Sequence, residues 1–398
     1  MRVTVISPNS APLVEPPQLD RCSGLSYPGW VPRCVVGAPA PGGLLLPPAQ
    51  PTESWLYAPR GVVLGDDRLV VADSGNHRVM IWNAVPCGDG EPADVILGQP
   101  DPHTEGPAAG GRGPANGMHL PTGVVLDGDR LIVADAWHHR LLVWDRMPTR
   151  TATPPDYVIG QPDSTSVEPN SGHDPTASTF YWPFGIALID GHFYVADTGN
   201  RRVLIWHGGV PEPGQAADVV LGQPDAGARE ENRGGDVAAD SFRWPHAFAA
   251  TGTGGVLIAD AGNHRILRWD THPIADRPAD TVLGQPDFTT GTEFPYVPQV
   301  GRLRFPYAIA SSATGTGTEL AIADTANNRV LLQHDCAHAD KLSPYLALAQ
   351  PNLVGNGENR WDQVAADTLC WPYGLDWRGD LLAVADSGNN RVVLWERS

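Results

Sequence analysis

One segment recurs six times along this chain, and that repetition limits the possible folds more than any other feature of the sequence. Its six copies each carry an Ala-Asp pair, with the aspartates at Asp73, Asp135, Asp197, Asp260, Asp324 and Asp386. The spacings are 62, 62, 63, 64 and 62 residues. A second motif runs in phase with the first. It reads GQPD at Gly98–Asp101, Gly160–Asp163, Gly222–Asp225 and Gly284–Asp287, and degrades to AQPN at Ala349–Asn352.

One period contains four short apolar runs separated by turn residues. In the first copy they are Gly61–Leu64, Leu69–Ala72, Arg78–Trp82 and Asp94–Leu97. Runs of this length bounded by Gly, Pro, Asn and Asp read as strands. Their apolar residues are consecutive, as a strand covered on both faces requires. Six four-stranded units in radial repetition form an all-β, six-bladed β-propeller. The chain ends at the third strand of the sixth unit, while Cys34-Val35-Val36-Gly37-Ala38-Pro39 resembles the V-I-L-G-Q-P of a fourth strand. The sequence therefore predicts that an N-terminal strand completes the last blade. Residues 1–33 are expected to form an N-terminal extension and 34–398 a single propeller domain.

The turn Asp-x-Gly-Asn-x-Arg and the phased GQPD motif resemble the NHL repeat family, in particular its bacterial six-bladed subset with GQPD-type outer strands. The resemblance covers residues 34–397 and implies the propeller fold. It does not imply one function, because the family includes protein-binding, RNA-binding and enzymatic members. The metal-centred site of its amidating-lyase branch does not map residue by residue onto this sequence.

Residues shared by every blade are expected to serve the ring. The Asp and Arg of the turn, the Trp at 82, 144, 206, 269 and 395 (Gln333 in blade five) and the GQPD motif all belong to this class. Function is sought where the blades differ. Blade-to-blade connections of 18 or 19 residues should share a face with the turns between second and third strands. They suit recognition and suit a structural collar equally well. Each connection ends at a proline that opens the innermost strand. The preceding residues are Ala58, Leu120, Trp182, Trp244, Phe305 and Trp371; the following ones are Arg60, Thr122, Phe184, His246, Tyr307 and Tyr373. In blades three to six both are large and almost all aromatic. Strand alternation would put both members on one side, giving an aromatic channel mouth with Arg60 and His246 as polar groups. The same rings could instead pack between blades.

Blade five departs from the pattern. It has a longer first hairpin, Ser311–Thr318, and then His334, Cys336 and His338 in a His-x-Cys-x-His run, three donors suited to a transition metal. Cys22, Cys34, Cys87 and Cys336 are expected in one sector, around blades five, six and one. No paired Cys-x-x-Cys spacing is present, so neither a metal nor another cofactor is expected, and a divalent metal on His334, Cys336 and His338 is the alternative.

Composition narrows the function classes. The net charge is −18, and Lys341 is the single lysine among 27 basic residues. That balance argues against a phosphate-backbone partner. No secretory h-region or membrane-spanning run is visible, so a cytoplasmic protein is expected. HExxH, GxSxG and GxxxxGK[ST] are absent. The leading expectation is a non-enzymatic scaffold that recognises a protein partner through the long-connection face and channel mouth. A small-molecule ligand in the mouth remains open, as does a lyase or hydrolase using His246 and Arg60.

Overall fold

The structure is a computed structural model and describes residues 25–38, 50–293, 299–315 and 317–398. It contains six antiparallel four-stranded sheets. In blade one the strands are Gly61–Leu64, Leu69–Asp73, Arg78–Trp82 and Val95–Leu97, paired in sequence order. Each innermost strand contacts that of the next blade, and the sixth contacts the first, which closes the ring. Blade six consists of Pro372–Arg378, Leu381–Asp386 and Arg391–Arg397, with Trp30–Gly37 as its outermost strand. Cys34 lies opposite Leu394 and Val36 opposite Val392. The two ends of the chain are thus joined in one sheet.

Consecutive apolar residues are explained by burial on both faces. In blade one, Val70, Ala72, Val79 and Ile81 pack against Val124, Leu131, Val133 and Trp144 of blade two. The alternate residues Val71, Met80 and Trp82 pack against Cys34, Val36, Ala385 and Leu394 of blade six. The blades converge most closely at the axis. A Cβ on Gly185 would lie 1.8 Å from the His246 carbonyl oxygen, so this position has no room for a side chain.

The recurrent turn forms a buried fastener. Asp73 Oδ1 accepts the Tyr57 N–H at 2.6 Å, and Oδ2 accepts Asn76 Nδ2 at 2.8 Å and Arg78 Nε at 2.7 Å. Arg78 then donates to the carbonyls of Pro102, Thr52 and Trp55, holding the connections on both sides of its blade. The same Asp–Arg pair recurs in all six blades, with both side chains almost wholly buried. These bonds also place the second-to-third turns and the long connections on one face.

Other repeated residues are fasteners as well. Gln99 Nε2 donates to the carbonyls of Asn76 and Gly106, and Asp101 Oδ1 accepts the N–H groups of His103 and Thr104. Trp82, Trp144, Trp206 and Trp269 each donate an indole N–H to a carbonyl in the loop leading to the outer strand. Gln333 of blade five replaces that bond with two polar ones, to Lys341 O at 3.4 Å and from Ser343 N at 2.6 Å. The long hairpin of blade five is two paired strands, Pro306–Thr314 and Gly317–Asp324.

Candidate binding site at the channel mouth

Six residues that follow the prolines meet at the axis. Arg60, Thr122, Phe184, His246, Tyr307 and Tyr373 line a central cavity of about 90 Å³. Phe184 and His246 have ring centroids 4.3 Å apart, His246 and Tyr307 4.6 Å, and Tyr307 and Tyr373 4.6 Å. Arg60 completes the circle: its guanidinium lies 5.2 Å from the Tyr373 centroid and 6.0 Å from that of Phe184. Thr122 is small enough to let it reach across, and donates its own hydroxyl to the Phe184 carbonyl at 2.7 Å. The ring side chains therefore stack around the axis and narrow it.

Residues that precede the prolines behave differently. Each innermost strand in blades two to six opens at its proline, so the residue before it lies outside the alternation expected from the sequence. Ala58, Leu120, Trp182, Phe305 and Trp371 all have left-handed backbone, with φ between 47° and 54°. This uncommon conformation for a residue with a side chain is held by a clamp from the preceding blade. The Leu120, Trp182 and Phe305 N–H groups donate to Nδ1 of His77, His139 and His264 at 3.1 to 3.2 Å. Those of Trp371 and Ala58 donate to Oδ1 of Asn328 and Asn390 at 2.9 Å. An imidazole can accept here only when neutral. Burial lowers the pKa of His77, His139 and His264 to about 4, which keeps them so.

Blade four is the exception. Arg201 occupies the clamp position and has no acceptor to offer. Trp244, next in line, is not left-handed, and its N–H turns to Asp260 Oδ1 at 3.3 Å. The lost clamp coincides with a second cavity, of about 240 Å³, on the long-connection face. Trp137, Tyr181, Trp182, Trp244 and Arg201 line it, together with Arg60, Phe184, His246 and Tyr307. Trp137 and Trp182 are 4.8 Å apart, and Tyr181 is 5.2 Å from Trp182. His246 is buried, which lowers its pKa to about 4, and its Nδ1 is 3.0 Å from the Trp244 carbonyl.

The residues after the prolines in blades three to six thus ring the axis, whereas the second cavity draws its tryptophans, Trp137, Trp182 and Trp244, from blades two to four. Phe305 turns to His264 at 4.3 Å, and Trp371 is partly exposed, donating its indole N–H to Glu358 at 3.1 Å. Neither lines the cavity. Sequence reasoning missed Trp137, Tyr181 and Arg201. Two of them had a readable signal. Trp137 stands where four other blades carry Gly75, Gly199, Gly262 and Gly388, and Arg201 stands where the others carry His or Asn. Tyr181 had none, since its position is occupied by a different residue type in most blades.

The residues of the His-x-Cys-x-His run point to separate partners. His334 Nδ1 meets Glu319 Oε1 at 2.7 Å and its ring stacks on Tyr345, whereas His338 pairs with Asp335. Cys336 is buried towards the Ala250 and Thr251 carbonyls of blade four. Among the described residues, no three His, Cys, Asp or Glu side chains are grouped to hold a metal ion. Cys336, Cys34 and Cys87 stand on blades five, six and one as expected, but Cys336 does not face the other two. Cys34 lies 3.2 Å from the carbonyl of Pro86, next to Cys87, while Cys336 faces away towards blade four; Cys22 lies outside the described residues. Burial pushes the Cys34, Cys336 and Cys370 thiols up to about 12. No described helix is long and apolar enough to cross a membrane.

Comparison with known proteins matches the NHL repeat family at residues 56–82, 118–144 and 242–269, in blades one, two and four. NHL repeat-containing protein 2 of Homo sapiens is 30% identical over 165 residues. That alignment takes in 38% of this chain, and the chain spans about a fifth of the relative's length (20%). Among solved structures, a streptogramin B lyase is similar at 12% identity, with 90% and 97% of the two chains covered and a TM-score of 0.47. The WD40 β-propeller domain of Doa1 is similar at 10% identity, with 93% and 98% covered and a TM-score of 0.45.

Proposed function

We propose, from the premise that this chain carries NHL repeats in a closed six-bladed propeller, that it is a binding module for a protein partner. The partner crosses the long-connection face and seats a side chain in the cavity between blades two, three and four. One observation carries this reading: the departures from the repeat converge there. Trp137 replaces a glycine, Arg201 replaces an acceptor, and Trp182 and Trp244 stand on either side. A concave, largely apolar site with few polar groups is the usual form of a recognition pocket, and buried Trp and Tyr anchors dominate protein interfaces.

Catalysis at the mouth has less support. His246 is enclosed between Phe184 and Tyr307, and a base of pKa about 4 is poorly matched to proton transfer near neutral pH.

The test compares wild type with Trp137→Gly, the residue most other blades carry, as bait in extract from the source cell. A partner retained by wild type and released by the variant, with the same melting temperature for both baits, is the expected outcome. Equal retention by both baits, or a strictly monomeric wild-type protein in native mass measurements of the extract, overturns the reading.

A further inference from the structure

The charged groups that line the 240 Å³ cavity are two guanidiniums, those of Arg60 and Arg201, and no carboxylate lines it. In a chain of net charge −18 this is a local reversal of sign. Most arginines of the ring are consumed by carboxylates or carbonyls, as in the six buried fasteners. Arg60 has neither: among the described residues its guanidinium meets only the faces of Tyr373 and Phe184. Arg201 donates from Nη1 to the Gly199 carbonyl at 2.7 Å and the Arg229 carbonyl at 3.5 Å, but its Nε is shielded from solvent without a hydrogen-bond partner. A guanidinium at the cavity wall without a carboxylate or carbonyl partner, beside a second with a buried unpaired Nε, favours an incoming anion. A guanidinium fork matches a carboxylate in particular.

The walls set the rest of the ligand. Trp137, Trp182, Tyr181 and Trp244 offer ring faces and edges to a flat apolar group. Such a cage could attract a cation in isolation, but the two guanidiniums repel one. His246 adds no charge, because burial keeps its imidazole neutral. The volume lies below the usual range of about 300–1,000 Å³ for small-molecule sites, so it suits one ring with a short acid arm.

We infer that this cavity binds an aromatic carboxylate, with the ring between the tryptophans and the carboxylate on Arg201 and Arg60. The inference deepens the binding-module reading and rests on it. The acid has two chemical sources: the C-terminal aromatic residue of a peptide, or a free aromatic acid.

Titration calorimetry, supported by tryptophan fluorescence, tests it on the full chain. The probes are 3-phenylpropionate, its amide, the matched amine 3-phenylpropylamine, and the peptide Gly-Gly-Gly-Phe as free acid and as amide. We expect each acid to bind at least about tenfold more tightly than its amide, the scale of one charge-assisted hydrogen bond, and the amine not to bind. Arg60→Met and Arg201→Asn should abolish most of the preference for acid over amide; Trp137→Gly should weaken acid and amide together. Melting curves establish that each variant is folded, and the ligand comparison on wild type needs no variant. Tighter binding of the peptide acid than of 3-phenylpropionate identifies a peptide terminus as the source, and equal binding identifies a free acid. Equal affinity for acid, amide and amine, or no binding of either acid, overturns the inference. If neither acid binds while Trp137→Gly still releases a partner, the inference alone fails. If the acids bind while partner retention ignores Trp137, the protein-binding reading alone fails.

Discussion

Asp197 illustrates what a single residue does in this molecule. Its carboxylate accepts the Tyr181 N–H, Asn200 Nδ2 and Arg202 Nε, and Arg202 passes the constraint on to the carbonyls of Ala226, Thr176 and Thr179. Removing the acid leaves a buried guanidinium with only neutral acceptors. Asp197→Ala is therefore expected to cost about 3–5 kcal/mol, measured as a lower urea midpoint with an unchanged slope. Arg201, one position before Arg202, is tied to no such network. Its contribution is an absence: without an acceptor, it leaves Trp244 out of the left-handed clamp that fixes the equivalent residue elsewhere. The Asp and Arg roles could be read from repetition. The role of Arg201 could be read only as a departure from it, and its consequence for Trp244 needed the neighbouring blade.

At the scale of elements, the innermost strands and the closing strand make distinct contributions. The small residue after each Pro-x pair lets neighbouring blades meet at the axis. Gly185→Ala places a methyl group against the His246 carbonyl and should destabilise by about 1–3 kcal/mol, read as a fall in melting temperature. The ring of Phe184 and His246 should be disturbed with it, visible in near-ultraviolet circular dichroism. The strand Trp30–Gly37 covers Arg391–Arg397. Deleting residues 1–37 bares that strand, and exposed edges template association. The truncated chain should elute as aggregates in size-exclusion chromatography and lose its single sharp melting transition; a monomer with wild-type melting would show that closure is dispensable. Four-strand periodicity and closure were legible because each blade repeats the same local pattern. The start of the innermost strand was legible too, but not the backbone turn just before it, which depends on an acceptor about forty residues upstream.

The whole molecule carries a proton-linked signature. His77, His139, His246 and His264 titrate at about 4 in the folded ring because burial disfavours their charged forms, against about 6.5 in an unfolded chain. Between those values the unfolded chain binds more protons, so stability falls as pH is lowered from about 6.5 towards 4. Asp376 works in the opposite sense: burial raises it to about 6, and the stability its protonated form contributes is lost as pH rises through that value. Burial also raises Asp73, Asp197 and Asp386, each beside its guanidinium, in the sense of Asp376, and lowers His119 and His192 in the sense of the other histidines. Six histidines against four carboxylates predict a net loss on acidification. Urea midpoints at pH 7, 6, 5 and 4 should decline progressively. Replacing His77 and His264 together with Asn, the acceptor used in blades five and six, should flatten the decline without breaking the clamps.

The sequence by itself determined the six blades, their four strands, the closure by residues near Cys34 and the structural standing of the repeated Asp, Arg, Trp and Gln. Each of these follows from local periodicity repeated in phase, and the chain states it six times. Only the tertiary structure decided which aromatic residues share a cavity. Trp137, Trp182, Arg201 and Trp244 come from three blades, and their meeting depends on inter-blade register and on one backbone angle. Phe305 and Trp371 have the same sequence context and stand outside the cavity, Phe305 against His264 and Trp371 bonded to Glu358, whereas Trp182, held by the same kind of clamp, lines it beside Trp137.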